Sequence, residues 1–191
     1  HAHLQRATWL AVTGNDPSAE LERARGAYRH GQEINPRYYW SHLLAGRVEL
    51  AASRWSVRQK RSPLPDLDRA DAFLSLARKH NPVEPDVPQA QAEAQWRRAE
   101  WLHDAGQPCA DAIRTGLTRV DEALRTNPRH ARALAVRSYL LRLQARPKIL
   151  LASTLEEAWE LWSRYHEHVL AVIADLGFPR AGQLDARAGL E

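Results

Sequence analysis

Apolar and small residues recur with one spacing in three stretches of the chain: Leu21, Ala24, Tyr28, Gly31; Leu67, Ala70, Leu74, Ala77; and Ile113, Gly116, Val120, Ala123. Positions i, i+3, i+7 and i+10 share one face of an α-helix, so each stretch predicts an amphipathic helix. The stretches are 46 residues apart, and each ends on an Asn-Pro pair: Asn35-Pro36, Asn81-Pro82 and Asn127-Pro128. Proline cannot continue the hydrogen-bond ladder and pushes the preceding residue out of the α region, so these pairs predict helix ends. Trp9, Trp55 and Trp101 lie on the same ruler, as do Asp16-Pro17 and Ser62-Pro63, which predict the helix starts. Extending the ruler once more gives Trp159, Trp162, His166 and Val169 as a fourth stripe.

Between each Asn-Pro and the next such helix (helix B of its unit) lies a longer apolar segment, helix A. It is expected over Tyr38 to Arg58, Pro88 to Ala105 and His130 to Arg146. These segments carry apolar and small residues on more than one face, as a helix sandwiched between neighbours requires. Gly46, Ala92 and Ser138 are 46 apart and small, which predicts a close helix crossing in each unit. Gly14 and Gly106 stand where a left-handed residue would stop helix A. A last helix should open at Ser153-Thr154, with Glu156 and Glu157 as capping partners, and its aromatics should seal the end of the array. The expected units are residues 1–36 (truncated), 37–82, 83–128 and 129–176, followed by a loose tail over 177–191.

A small residue in helix A, a small–large–small stripe in helix B and a proline after it resemble the tetratricopeptide repeat. Ala24, Tyr28, Gly31 and Pro36 carry the resemblance, as do Ala70, Leu74, Ala77, Pro82 and Gly116, Val120, Ala123, Pro128. It implies an all-α fold, a right-handed α-solenoid of stacked antiparallel helix pairs. The unit is about 12 residues longer than the family's usual ~34, and the extra length falls between Gly46 and Ala70. That insertion puts the usual superhelix curvature in question. The long variant, with its AEWLHDAGQP and NPR segments, resembles arrays at the C-termini of large bacterial serine/threonine protein kinases. No Gly-rich phosphate loop, His-Arg-Asp loop or Asp-Phe-Gly is present to supply kinase chemistry.

Composition narrows the setting. The chain has 191 residues and is 44% hydrophobic, enough for a folded core. No apolar run approaches the roughly 20 residues of a membrane span. A single cysteine, Cys109, excludes an internal disulfide framework and fits a reducing, cytoplasmic setting. The absence of methionine points to a fragment of a longer chain. All but three of the 27 basic residues are arginine, but they are interspersed with Asp and Glu. That mixture predicts ion-paired surfaces rather than a nucleic-acid stripe.

Four groups invite a chemical reading. His103-Asp104 resembles the metal-binding pair of HD-type hydrolases, yet the matching positions in other units are Val57-Arg58 and Ala11-Val12, so a polar helix end is expected. Cys109 sits near the start of a helix B with no histidine placed to activate it. His166 and His168 are two apart, and metal-binding pairs on a helix need i, i+4 spacing. Arg54, Arg58, Lys60 and Arg61 form a basic turn around Trp55, read as a solvated loop or a phosphate contact. No catalytic residue, metal or cofactor is predicted.

The A helices should line the inner surface of such an array. At the repeat spacing, the candidate partner-binding positions are Trp40, Asp86 and Arg132, then Arg47, Glu93 and Tyr139, with Trp96 and Arg97 one turn on. Trp, Tyr and Arg dominate binding hot spots, although Trp40 and Trp96 would serve a core equally well. The Lys/Asn clamp that some tetratricopeptide proteins use for peptide C-termini is not at these positions. The expectation is a non-catalytic protein-interaction scaffold from a larger bacterial signalling protein, bound to another protein or to its own missing N-terminal domain. The alternative is a regulatory module that takes a small ligand or phosphate-bearing polymer on its arginines.

Overall fold

The computed structural model describes residues 1–145, 154–165, 179–180 and 183–184. The chain divides into two compact units, residues 1–146 and 147–191. The first holds seven helices: α1 (Ala2–Thr13), α2 (Ser18–Ile34), α3 (Tyr39–Arg58), α4 (Leu64–His80), α5 (Asp86–Asp104), α6 (Ala110–Thr126) and α7 (Ala131–Gln144). In the second, the described residues give α8 (Leu155–Tyr165) and a two-residue antiparallel pair, β1 (Pro179–Arg180) with β2 (Gln183–Leu184). The expected fourth unit, 129–176, is thus divided between the two, with α7 in the first and α8 in the second. The pair β1–β2 falls in the segment expected to be a loose tail.

Within the first unit each helix packs on the next in sequence, and α1–α3, α3–α5 and α5–α7 also touch. The odd-numbered helices are the A helices and the even-numbered ones the B helices. Three apolar cores follow, each built from one B helix between two A helices: α1/α2/α3, α3/α4/α5 and α5/α6/α7. Helix α3 shows why an A helix is apolar on two faces. Leu44, Val48 and Ala51 enter the first core, and Leu43 and Leu50 the second. The predicted B stripes are buried throughout α4 and α6, and in α2 except for the half-buried Gly31. The predicted crossing at Gly46 is real: a Cβ there would lie 2.7 Å from the Leu74 side chain. Ala92 is fully buried. Ser138, in contrast to the expectation of a close crossing, is exposed and bonds back to the Ala135 carbonyl of its own helix.

The repeat extends to individual hydrogen bonds. Asn35, Asn81 and Asn127 end α2, α4 and α6 in one extended conformation, with φ of −141°, −143° and −135°. Each donates its backbone N–H to the last residue of its stripe: Gly31, Ala77 or Ala123. Each side-chain Oδ1 accepts the N–H two residues on, from Arg37, Val83 or Arg129, at 3.1–3.3 Å. Asparagine before proline is therefore a local turn as well as a stop. At the helix starts, Pro17 and Pro63 cap α2 and α4 rather than occupying the first helical position. Asp16 and Ser62, one residue earlier, accept the N–H groups of Ser18 and Leu64.

Three A helices, α1, α3 and α5, share one stop. Gly14 and Gly106 take the left-handed conformation, at φ 86° and 68°, and Lys60, midway between them on the ruler, takes it too at φ 55°. The N–H groups of Asn15, Arg61 and Gln107 reach back five residues to Leu10, Ser56 and Leu102 at 2.8–2.9 Å, the closing bond of a Schellman motif. A lysine side chain is strained where glycine is not. Lys60→Gly should therefore stabilise the protein by about 1 kcal/mol. Urea unfolding tests this, and an unchanged or lowered midpoint would show that the turn carries no strain.

In α8, Glu157 donates its N–H to Thr154 Oγ1 at 3.1 Å, which places the helix start where the sequence put it. Trp159 and Trp162, expected on a core stripe, are instead exposed, at 61% and 43%. Glu156 and Glu157 in the first turn favour the helix start through the positive end of its dipole. His166, His168, Val169 and Ile173 lie outside the described residues, so the histidine pair has no structural reading.

Candidate interaction surface

The A helices α3, α5 and α7 bring the predicted surface positions into one band, with α5 in the middle. At one end, Arg47 of α3 lies 3.0 Å from Asp86 of α5. The other Asp86 oxygen faces His130 Nε2, which starts α7, at 2.8 Å. His130 Nδ1 accepts the Ala133 N–H at 3.3 Å, so its Nε2 carries the proton given to Asp86. Two turns along α5, Glu93 is held by Arg97 of the same helix at 2.5 Å and by Arg54 of α3 at 3.4 Å, and Gln89 donates to its second oxygen. Beside them Trp96 stacks on Tyr139 of α7, with ring centroids 4.5 Å apart at 16°. Arg97 lies over the Trp96 ring and Arg142 over Tyr139, at 5.5 and 5.7 Å.

Six of the eight predicted residues fall into two clusters: Arg47 with Asp86, and Glu93 with Arg97, Trp96 and Tyr139. Arg132, one period beyond Asp86, is exposed on α7. Trp40 lies outside these contacts. It is half-buried against both the first and second cores, with its ring edge-on to Tyr39. Trp96 is itself half-buried against the third core. Arg54, His130, Gln89 and Arg142 were missed as members. A signal for two of the contacts was present: opposite charges stand 39 residues apart at Arg47/Asp86 and again at Arg54/Glu93.

Burial pushes the Asp86 carboxyl up, but Arg47 and His130 outweigh it and hold it below the ordinary carboxylate range. The same balance holds Glu93 low against burial through Arg97 and Arg54, and Glu122 through Arg78 and Arg119. Burial lowers Arg54, and the neighbouring Arg97 cation lowers it further. Asp71 runs the other way, raised by burial despite Arg98. A carboxylate with a depressed folded-state pKa stabilises the fold above its unfolded pKa, and that stability is lost as pH falls through the folded value. The melting temperature should accordingly be flat from pH 7 to about 5 and drop below about pH 4, near the unfolded carboxylate pKa. A rising melting temperature over that acid range would mean that Asp71 outweighs the depressed carboxylates, to which Asp16 and Glu20 also belong.

The remaining chemical candidates find structural places. His103 Nδ1 is 3.4 Å from Asp104 at the end of α5, and no group of three or more potential metal ligands occurs among the described residues. Cys109 is buried at the cap of α6. The basic turn is partly engaged, since Arg58 donates to the Val12 carbonyl and Arg54 faces Glu93. Among the ruler tryptophans, Trp55 and Trp101 are half-buried and Trp9 is exposed. Two shallow polar depressions, of about 250 and 210 Å³, lie elsewhere, one around Arg78, Glu122 and Arg125 and one around Arg25, Trp55 and Arg69. No described helix is long and apolar enough to cross a membrane. No protein-family model, curated protein or solved structure matches this chain.

Proposed function

We propose that this chain is a non-catalytic protein-interaction scaffold of tetratricopeptide-like helix pairs, and that it binds its partner on the band carried by α3, α5 and α7. The observation that carries the reading is the stacked Trp96–Tyr139 pair, part-exposed and framed by Arg54, Arg97 and Arg142. Rigid aromatic rings next to arginines supply contact area at small entropic cost, which is why such groups dominate binding hot spots. The 46-residue recurrence of stripe, Asn-Pro turn and Schellman stop supports a solenoid of repeated hairpins over an irregular bundle. A larger bacterial signalling protein, such as a serine/threonine kinase, remains the proposed setting, in the cytoplasm.

The polyanion reading has less behind it. Arg25, Arg69, Arg78, Arg98 and Arg119 each already face a carboxylate, which offsets the positive field a nucleic acid or polyphosphate needs. A photo-crosslinking residue in place of Tyr139, compared with one in place of the exposed Arg114 on α6, tests the scaffold. A protein crosslinked from the 139 position and not from 114 is the expected result. Equal crosslinking from both, or none from 139, would remove the proposed face.

A further inference from the structure

Resting on the reading just given, we infer that the Arg54–Glu93–Arg97 triad is a receiving site for one carboxylate side chain of the partner, which is an acidic peptide segment. Two guanidinium groups share a single carboxylate there, so the triad carries one uncompensated positive charge. Its two contacts are unequal: Arg97 to Glu93 is short at 2.5 Å, whereas Arg54 reaches Glu93 only at 3.4 Å. Arg97 is committed to the protein, with its side chain 10% exposed, while Arg54 is 35% exposed and able to turn its donors outward. Arg97 Nε, moreover, is buried with no hydrogen-bond partner, a donor deficit that a small shift toward an incoming oxyanion would relieve.

Charge decides which oxyanion. A carboxylate brings a single negative charge and closes the balance of the triad. A phosphomonoester brings about −1.5 to −2 and would leave net negative charge against Glu93. An arginine fork also matches the planar carboxylate in a bidentate contact. The burial of Arg54 and its proximity to Arg97 disfavour its bare cation, and a new counter-ion relieves that. The Trp96–Tyr139 stack adjoins the triad through Arg97, so an apolar group next to the acidic residue has a surface to lie on.

The test follows Arg Nε–H and Trp indole N–H signals by NMR while the whole chain is titrated with three end-capped decapeptides. These carry glutamate, glutamine or phosphoserine at the same alternate positions in a glycine background. The glutamate peptide is expected to move the Arg54, Arg97 and Trp96 signals and the glutamine peptide to leave them in place. Arg54→Gln should weaken the glutamate peptide about fivefold or more, and Glu93→Gln, which removes the competing carboxylate, should tighten it about threefold. Unmoved signals with glutamate, or tighter binding of phosphoserine, would overturn the inference. A partner crosslinked at position 139 whose capture is unaffected by Arg54→Gln would retire the carboxylate site and leave the scaffold standing. Glutamate-dependent shifts without any crosslink at 139 would do the reverse.

Discussion

Glu49→Leu should destabilise the protein by about 3 kcal/mol, because it removes the shared partner of two arginines at a buried position. Glu49 is 3% exposed. Arg25 of α2 grips it with two hydrogen bonds, at 2.7 and 2.9 Å, and Arg69 of α4 adds a third at 2.9 Å, so one carboxylate ties three helices together. Arg25 and Arg69 are 28% and 50% exposed, so both regain some water when the carboxylate is lost, and the cost lies at the lower end for a broken buried pair. The repeat offers its own rescue. Positions 25 and 49 correspond to Asp71 and Gln95, which are hydrogen-bonded at 3.2 Å, and to Leu117 and Leu141 in the following unit. Arg25→Leu added to Glu49→Leu replaces the ion pair by an apolar pair and should recover about half of the loss, since an apolar pair at such a site is close to neutral. Urea unfolding of the two single variants and the double variant gives the coupling. Additive losses would mean that positions 25 and 49 do not act as a pair.

The second large effect is expected at Gly46. Helix propensity alone favours Gly46→Ala by about 1 kcal/mol. The new Cβ, however, would sit 2.7 Å from both Cγ and Cδ2 of Leu74, and 3.4 Å from the Ala70 carbonyl oxygen behind it. Leu74 is fully buried, so it has little room to withdraw. Overpacking of this kind costs about 1–3 kcal/mol, and a net loss of about 2 kcal/mol is the expected outcome. Leu74→Ala alone should cost about 3 kcal/mol through its cavity. Combined, the two changes should lose at least about 1 kcal/mol less than their sum, because each relieves the other. A stabilised Gly46→Ala variant would show that α3 and α4 are not in close contact at this crossing.

Much of this architecture was legible because a helix writes its buried face into the sequence at fixed spacing, and a repeat writes it three times. The B stripes, their Asn-Pro ends and the close approach at Gly46 all came from that periodicity. What was not legible had the wrong letter for its role. Lys60 occupies a left-handed position that only its neighbours on the ruler, Gly14 and Gly106, betray. Glu20 and Asp66 are 46 apart and buried at the start of α2 and α4, Glu20 beside Arg23 and Asp66 beside Arg69. Hydropathy reads such residues as surface, because it does not see the arginine or the positive helix end that allows burial. Trp40 and Trp96 stayed ambiguous, since a tryptophan on helix A suits either a binding face or a core, and both are half-buried against cores. The surface band itself was legible as a set of positions but not as a network. Its contacts join α3, α5 and α7 at an offset set by how the helices cross, which no single helix records.

On the proposed reading, 46 residues form one exchangeable structural unit. Deleting residues 37–82 joins Pro36 directly to Val83 and places α5 where α3 stood against α2. This shortened chain is expected to keep its helical ellipticity per residue and to melt in a single cooperative transition, at a lower temperature than the parent. Deleting residues 45–88 instead, two fewer and joined inside helix A at Leu44 and Gln89, turns the rest of that helix by about 200° and should abolish that transition. Circular dichroism melting of the two deletions is the direct measurement. Equal behaviour of the pair, or loss of cooperative melting in the 46-residue deletion, would contradict the repeat.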